Sequence, residues 1–175
     1  MFSVIFPGQG SQTVGMGMNL FNKYDSVKKL FNEADQILGH SISKLILEGP
    51  KEKLDLTENT QPAIFLISYS IFNVIKNEHK INLNKARYFA GHSLGEYTAL
   101  AASNVLSFSD GLKILKIRGK AMQSAVPKGE GGMLAVLGSD INEIEKIINN
   151  FNCEIANDNS NGQIVVSGKI NDLDN

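Results

Sequence analysis

The chain has 175 residues, 42% hydrophobic and 20% charged, the balance of an ordinary globular domain and not the low-hydrophobicity, high-charge profile of disorder. Lys and Arg total 17 against 18 Asp and Glu, a net charge of -1, so there is no whole-chain attraction to nucleic acid or to an anionic membrane. One cysteine, Cys153, excludes an internal disulfide and a four-cysteine zinc site, three histidines (His40, His79, His92) argue against a His-rich metal centre, and no apolar run exceeds residues 63–67, against roughly 18 for a membrane helix.

Residues 2–6 read as a buried strand, stopped by Pro7 and Gly8. No basic segment precedes them, so no targeting signal is expected and the default location is the cytoplasm; an organelle protein freed of its transit peptide would read the same. A Gly-rich loop follows, then a helix over 20–38 closed by Gly39 and a short amphipathic piece over 42–47. The second long helix, 60–78, is apolar nearly all round and therefore central, with Thr60 as its cap and Pro62 in its first turn. Residues 86–90 form a strand, a helix runs to about 104, and Ser109 caps another to about 126. Alternating strands and helices imply an α/β fold with a mainly parallel sheet over 1–127. A Gly-rich linker begins at 128. Beyond it a strand (133–137), a helix (140–151) and two strands (153–157 and 163–167) give β-α-β-β, the opening of a ferredoxin-like unit whose next helix would start near Ile170.

Strand, then Gly91-His92-Ser93-Leu94-Gly95, then helix is a nucleophile elbow. The spacing has a steric reason: a serine on a sharp turn between strand and helix needs neighbours two residues away that are small enough to let the two approach. Its hydroxyl then stands at a helix N-terminus, where free N–H groups favour an oxyanion. A Gly-rich turn with an idle serine is the alternative. The first loop, Gly8-Gln9-Gly10, lacks the third glycine of a dinucleotide fingerprint, since Thr13 stands there. It could supply a second N–H beside the elbow, or be a loop that merely needs positive φ.

Arg118 is misplaced for a surface cation. Lys113, Lys116 and Lys120 share one helix face, and Arg118 points about 170° away, beside Ile114, Leu115 and Met122. A guanidinium keeps its charge, so burial demands an anion: an internal carboxylate, or a substrate carboxylate held bidentately. His92 directly precedes Ser93, and adjacent side chains on a tight elbow diverge, which argues against it as the base. His40 and His79 read as surface residues, Glu96 as a helix-dipole partner, Cys153 as a small core residue, and Gln61 as either a polar ligand contact or a first-turn residue.

Four ordered motifs together carry a resemblance: Phe6-Pro7-Gly8-Gln9-Gly10-Ser11-Gln12, Thr60-Gln61-Pro62-Ala63, Gly91 to Tyr97, and Ile117-Arg118-Gly119-Lys120-Ala121-Met122-Gln123, with residues 131–135 and 159–163 in support. The chain resembles the malonyl-CoA:acyl carrier protein transacylase family, the acyltransferases of fatty acid synthesis, related to the acyltransferase domains of polyketide synthases. The resemblance implies a hydrolase-like α/β subdomain with a ferredoxin-like subdomain inserted in it, here only begun. It implies that Ser93 takes up malonyl, that the N–H groups of Gln9 and Leu94 form the oxyanion hole, and that Arg118, Gln61 and His92 make the substrate-binding set. Malonyl-CoA and phosphopantetheinyl acyl carrier protein are the substrates and partners so implied, with no bound cofactor or metal, no nucleic acid or membrane partner, and a monomer when complete. Two departures stand out. Asn161 replaces a usual proline, and the family's catalytic histidine lies beyond the inserted subdomain, so the chain is expected to be an N-terminal part that lacks it. Two other readings remain: a serine hydrolase such as a thioesterase, for which a buried cation has no use, and a non-catalytic acyl-CoA or carrier-protein binding module.

Overall fold

In the computed structural model, which describes residues 1–126 and 129–175, Ser3–Phe6 forms β1 and Tyr88–Gly91 forms β2, paired in parallel from Ser3↔Tyr88 to Phe6↔Gly91. Both strands therefore end side by side, and the loops that follow them emerge at the same edge. A parallel pair needs a long crossover. Here it consists of α1 (Met18–Lys23), α2 (Asp25–Leu38), α3 (Ile42–Glu48), α4 (Lys51–Leu54) and α5 (Thr57–Asn73), the last continued by a π-helical turn, Val74–Glu78.

The single helix expected over 20–38 is two helices, because Tyr24 is extended at φ −118° and ψ 119°. A break of one residue leaves the apolar period almost in phase, so the pattern does not register it. Thr60 is not a cap: α5 begins at Thr57, and the buried Thr60 hydroxyl donates to the Leu54 carbonyl at 2.6 Å, tying α5 to the end of α4. Pro62 consequently lies inside the helix, past the first turn, where its missing N–H leaves the Glu58 carbonyl without its helical donor. The expectation of a central helix holds, since α5 is buried from Thr60 to Ser68. Phe65 and Leu66 on α5 meet Phe31, Ile42, Ile46 and Leu54 in the main core.

After β2 come α6 (Gly95–Ala102) and α7 (Phe108–Ala125). Ser107, not Ser109, opens α7: its Oγ accepts from the Asp110 N–H at 3.0 Å and donates to the Asp110 carboxylate at 2.7 Å. Two glycines let α7 lie close against α5. A Cβ on Gly111 would come within 2.5 Å of the Phe65 ring, and one on Gly119 within 2.6 Å of the Glu58 Cα. Lys116, from the lysine face, donates to the Leu38 carbonyl and so closes the C-terminus of α2.

Residues Met1–Gln123 and Ser124–Asn175 form two compact units. The boundary expected at 127/128 falls on Pro127 and Lys128, outside the described residues. The second unit is an antiparallel sheet in the order β3 (Gly131–Leu137), β5 (Gln163–Lys169), β4 (Cys153–Ser160). The helix α8 (Ile141–Ile148), held by a capping box between Asp140 and Glu143, joins β3 to β4, and α9 (Ile170–Leu173) follows β5. Placing the third strand of the unit between the first two is the split β-α-β arrangement of ferredoxin-like units. Ile144, Ile164 and Val166 fill its core, while Met133 and Leu137 on the other face are 62% and 69% exposed.

Candidate active site

The elbow between β2 and α6 forces Ser93 into the left-handed region, at φ 52°. That region is unfavourable for a side chain and persists only where the surroundings hold it. Those surroundings are crowded. A Cβ on Gly91 would come within 1.9 Å of the Gly95 carbonyl carbon, and one on Gly95 within 2.5 Å of the Phe6 carbonyl oxygen. The two glycines thus let the end of β2, the start of α6 and the end of β1 pass within contact distance. Leu94 is fully buried and anchors the turn, while the Ser93 side chain is exposed.

Because β1 and β2 end together, the loop after β1 lies against the elbow. Gly8 must be small there, since a Cβ on it would come within 2.6 Å of His92 Nδ1. The loop is braced from within and from outside. Ser11 Oγ donates to the Gly8 carbonyl at 3.0 Å, and the Gly10 N–H donates to Gln12 Oε1 at 2.9 Å. Gln12 Nε2 donates in turn to Asp55 Oδ1 at 2.9 Å, and Gln9 Nε2 to Thr57 Oγ1 at 3.3 Å. The Gln12 hydrogen bond, with Lys51 beside it, holds the Asp55 carboxyl below its ordinary value. Among the described residues the backbone N–H groups of Gln9 and Leu94 donate no hydrogen bond within the chain.

The close packing of Gly119 on the first turn of α5 brings Arg118 to Gln61. Arg118 Nη1 donates to Gln61 Oε1 at 2.7 Å and Nη2 to Ser93 Oγ at 3.0 Å, and its guanidinium lies 5.9 Å from the Tyr97 ring centre. Arg118 is half-buried, and among the described residues it has no carboxylate partner. The apolar face expected around it is only partly so: Leu115 is buried, but Ile114 and Met122 lie at the surface edge. Gln61 is fully buried, and its Nε2 donates to Met122 Sδ at 3.2 Å.

Ser93, Arg118 and Gln61, which lie on three separate elements, are thus joined in one hydrogen-bonded cluster. Gln9, Leu94 and His92 belong to the two segments that meet at the elbow. His40 and His79 are surface residues elsewhere, at 3.2 Å from the Leu38 carbonyl and 3.3 Å from the Tyr24 hydroxyl respectively. Sequence reasoning passed over Met122 and Tyr97 as parts of this cluster, and Asp55 and Thr57 as braces of the first loop. Tyr97 and Met122 carry a signal, since both stand within the motifs. Asp55 and Thr57 carry none, because their roles depend on distant partners. The first loop's neighbour, an apolar cavity of about 460 Å³ between β1 and α5, is lined by Val4, Ile64, Ile67 and Phe72 among others and includes none of Ser93, Gln61 and Arg118. No group of three or more metal-ligating side chains occurs among the described residues, and none of their helices is long and apolar enough to cross a membrane.

Residues 3–175 match the family model described as an acyl transferase domain. The malonyl CoA-acyl carrier protein transacylase of Haemophilus influenzae is 43% identical over 171 residues, covering 95% of this chain and 54% of that protein. The protein of the same name from Bacillus subtilis is 44% identical over 169 residues, covering 94% of this chain and 52% of its own length. The acyl-carrier-protein-S-malonyltransferase of Bartonella henselae superimposes with a TM-score of 0.91 at 42% identity, over 99% of this chain and 57% of that one. A malonyl-transacylase solved in complex with a type II PKS acyl-carrier protein gives 0.89 at 36% identity, over 99% and 56%. The chain spans about half the length of the relatives it matches. A fold and a sequence that agree with the same proteins from the first strand to the last leave one assignment: this chain belongs to the acyl transferase family, with the malonyl CoA-acyl carrier protein transacylases as its relatives.

Proposed function

We propose that this chain carries the acyl-enzyme part of a transacylase that moves malonyl from coenzyme A to the phosphopantetheine thiol of an acyl carrier protein. The observation that carries the reading is Arg118: a half-buried cation with no carboxylate of its own among the described residues, 3.0 Å from the hydroxyl of a strained elbow serine. An acyl group bearing a carboxylate answers both features, with its thioester carbon at Ser93 and its carboxylate on the guanidinium. A hydrolase of neutral acyl chains has no use for that charge. The name of the neighbour solved with its carrier protein supports the choice of acceptor.

In the first half-reaction Ser93 Oγ attacks the thioester carbonyl and its proton passes to a general base. The N–H groups of Gln9 and Leu94, free of partners among the described residues, receive the oxyanion. The tetrahedral intermediate collapses, the C–S bond breaks, and coenzyme A leaves as the thiol with the proton returned by the base. In the second half the carrier protein's thiol attacks the seryl ester by the same steps, in ping-pong order. Arg118 cannot be the base, because a guanidinium only donates and keeps its proton. A histidine outside residues 1–175 fills that role in this reading, which accords with relatives nearly twice as long.

Intact-mass analysis of the full-length protein after incubation with malonyl-CoA tests the proposal. A malonyl adduct that maps to Ser93 and disappears in Ser93→Ala is the expected result. An adduct that survives the substitution refutes it.

A further inference from the structure

Beside the Ser93 hydroxyl, the partner that the fold gives Arg118 is an amide. Gln61 is fully buried, and both ends of its side chain are engaged, Oε1 by Arg118 Nη1 at 2.7 Å and Nε2 with Met122 Sδ at 3.2 Å. A guanidinium has no acceptor and a thioether sulfur has no donor, so this pairing permits only one orientation of the amide. The amide therefore fixes Arg118 without cancelling its charge. A carboxylate at position 61 could make the same bond to Nη1, would fit the same space, and would neutralise the cation.

We infer that Gln61 is the positioning residue for Arg118, and that its neutrality is what makes the site select an acyl group with a free carboxylate. It acts through Arg118 and does not itself receive the substrate, in contrast to the pocket-lining role that the family resemblance implies for it. Met122 completes the device by holding the far end of the amide, so that Oε1 stays turned to the guanidinium. The inference rests on the reading that Arg118 receives the malonyl carboxylate, and the experiment separates the two.

The full-length protein and its Gln61→Glu, Gln61→Met, Arg118→Ala and Gln61→Glu/Arg118→Ala variants are compared for kcat/KM with malonyl-CoA and with acetyl-CoA. Gln61→Glu is expected to lower the malonyl-to-acetyl ratio about 100-fold, the scale of a buried charge contact that has been lost. Gln61→Met keeps the volume and removes the bond, and is expected to raise KM for malonyl-CoA about 10-fold with a smaller change in kcat, since Arg118 keeps its charge but loses its aim. In the Arg118→Ala background Gln61→Glu should change the ratio no further. Equal losses for both acyl groups in Gln61→Glu, an unchanged KM in Gln61→Met, or a full Gln61→Glu effect in the absence of Arg118 each overturn the inference. An unchanged ratio in Arg118→Ala alone instead refutes the role of Arg118, and the inference falls with it for that separate reason.

Discussion

Replacing Gly91 by alanine puts one methyl group where backbone stands. The new Cβ would meet the Gly95 carbonyl carbon at 1.9 Å, its oxygen at 2.0 Å and the Glu96 nitrogen at 2.4 Å. All three atoms are backbone, so no side chain can turn aside. To reach an ordinary contact of about 3.4 Å the end of β2 and the start of α6 must part by about 1.5 Å, which breaks the bond from the Gly95 N–H to the His92 carbonyl at 2.8 Å. Overpacking typically costs about 1–3 kcal/mol, and a clash of backbone on backbone belongs at or above about 3 kcal/mol. The displacement also moves Ser93 relative to Arg118 by about 1 Å, on a scale at which about 100-fold in rate is lost. Gly39→Ala is the control: Gly39 sits at φ 70° with no heavy atom within 4 Å of the place a methyl would take, so it should cost only the left-handed penalty of about 1–2 kcal/mol and leave acylation unchanged. Urea unfolding followed by circular dichroism reads the first effect and the rate of Ser93 malonylation by mass reads the second. Gly91→Ala with the stability of Gly39→Ala and normal acylation would refute the geometry of the elbow.

Arg118→Ala should lose most malonyl transfer while sparing acetyl transfer, and Arg118→Lys should rescue it poorly, because an ammonium is a point charge and not a planar fork; equal losses for both acyl groups in a coenzyme A release assay would make Arg118 structural. The Asp55 carboxyl, held low by Gln12 and Lys51, contributes stability that is present above the ordinary value of 3.8 and lost as pH falls through its lower folded value. Wild type should therefore exceed Asp55→Asn in thermal stability near pH 7, with the gap closing below about pH 4, and a gap independent of pH would refute the bracing role of that carboxylate. Residues 1–175 expressed alone should malonylate Ser93 only slowly and give no measurable turnover on carrier protein, since general-base help is worth about 10²–10⁴-fold; turnover at the rate of a full-length relative would mean that the base lies within these residues.

Sequence alone determined what depends on neighbours along the chain. The elbow was legible because its requirement is local: two small residues flanking a serine, between a strand and a helix. The central place of α5 was legible from an apolar character that leaves it no solvent face, and the anomaly of Arg118 from its angle to the three lysines on the same helix. Tertiary structure decided what depends on distant partners. The break at Tyr24 and the true start of α5 at Thr57 rest on bonds and packing that periodicity does not record. For Arg118 the pattern left two anions open, an internal carboxylate or a substrate's; the fold gives it no carboxylate among the described residues, because Gly119, whose missing side chain seats α7 on the first turn of α5, delivers the arginine to an amide 57 residues away in sequence. A charge pattern along one helix reveals that a cation needs a partner. Only the packing of two helices says which partner it finds, because that is settled by which backbones can approach within the radius of a methyl group.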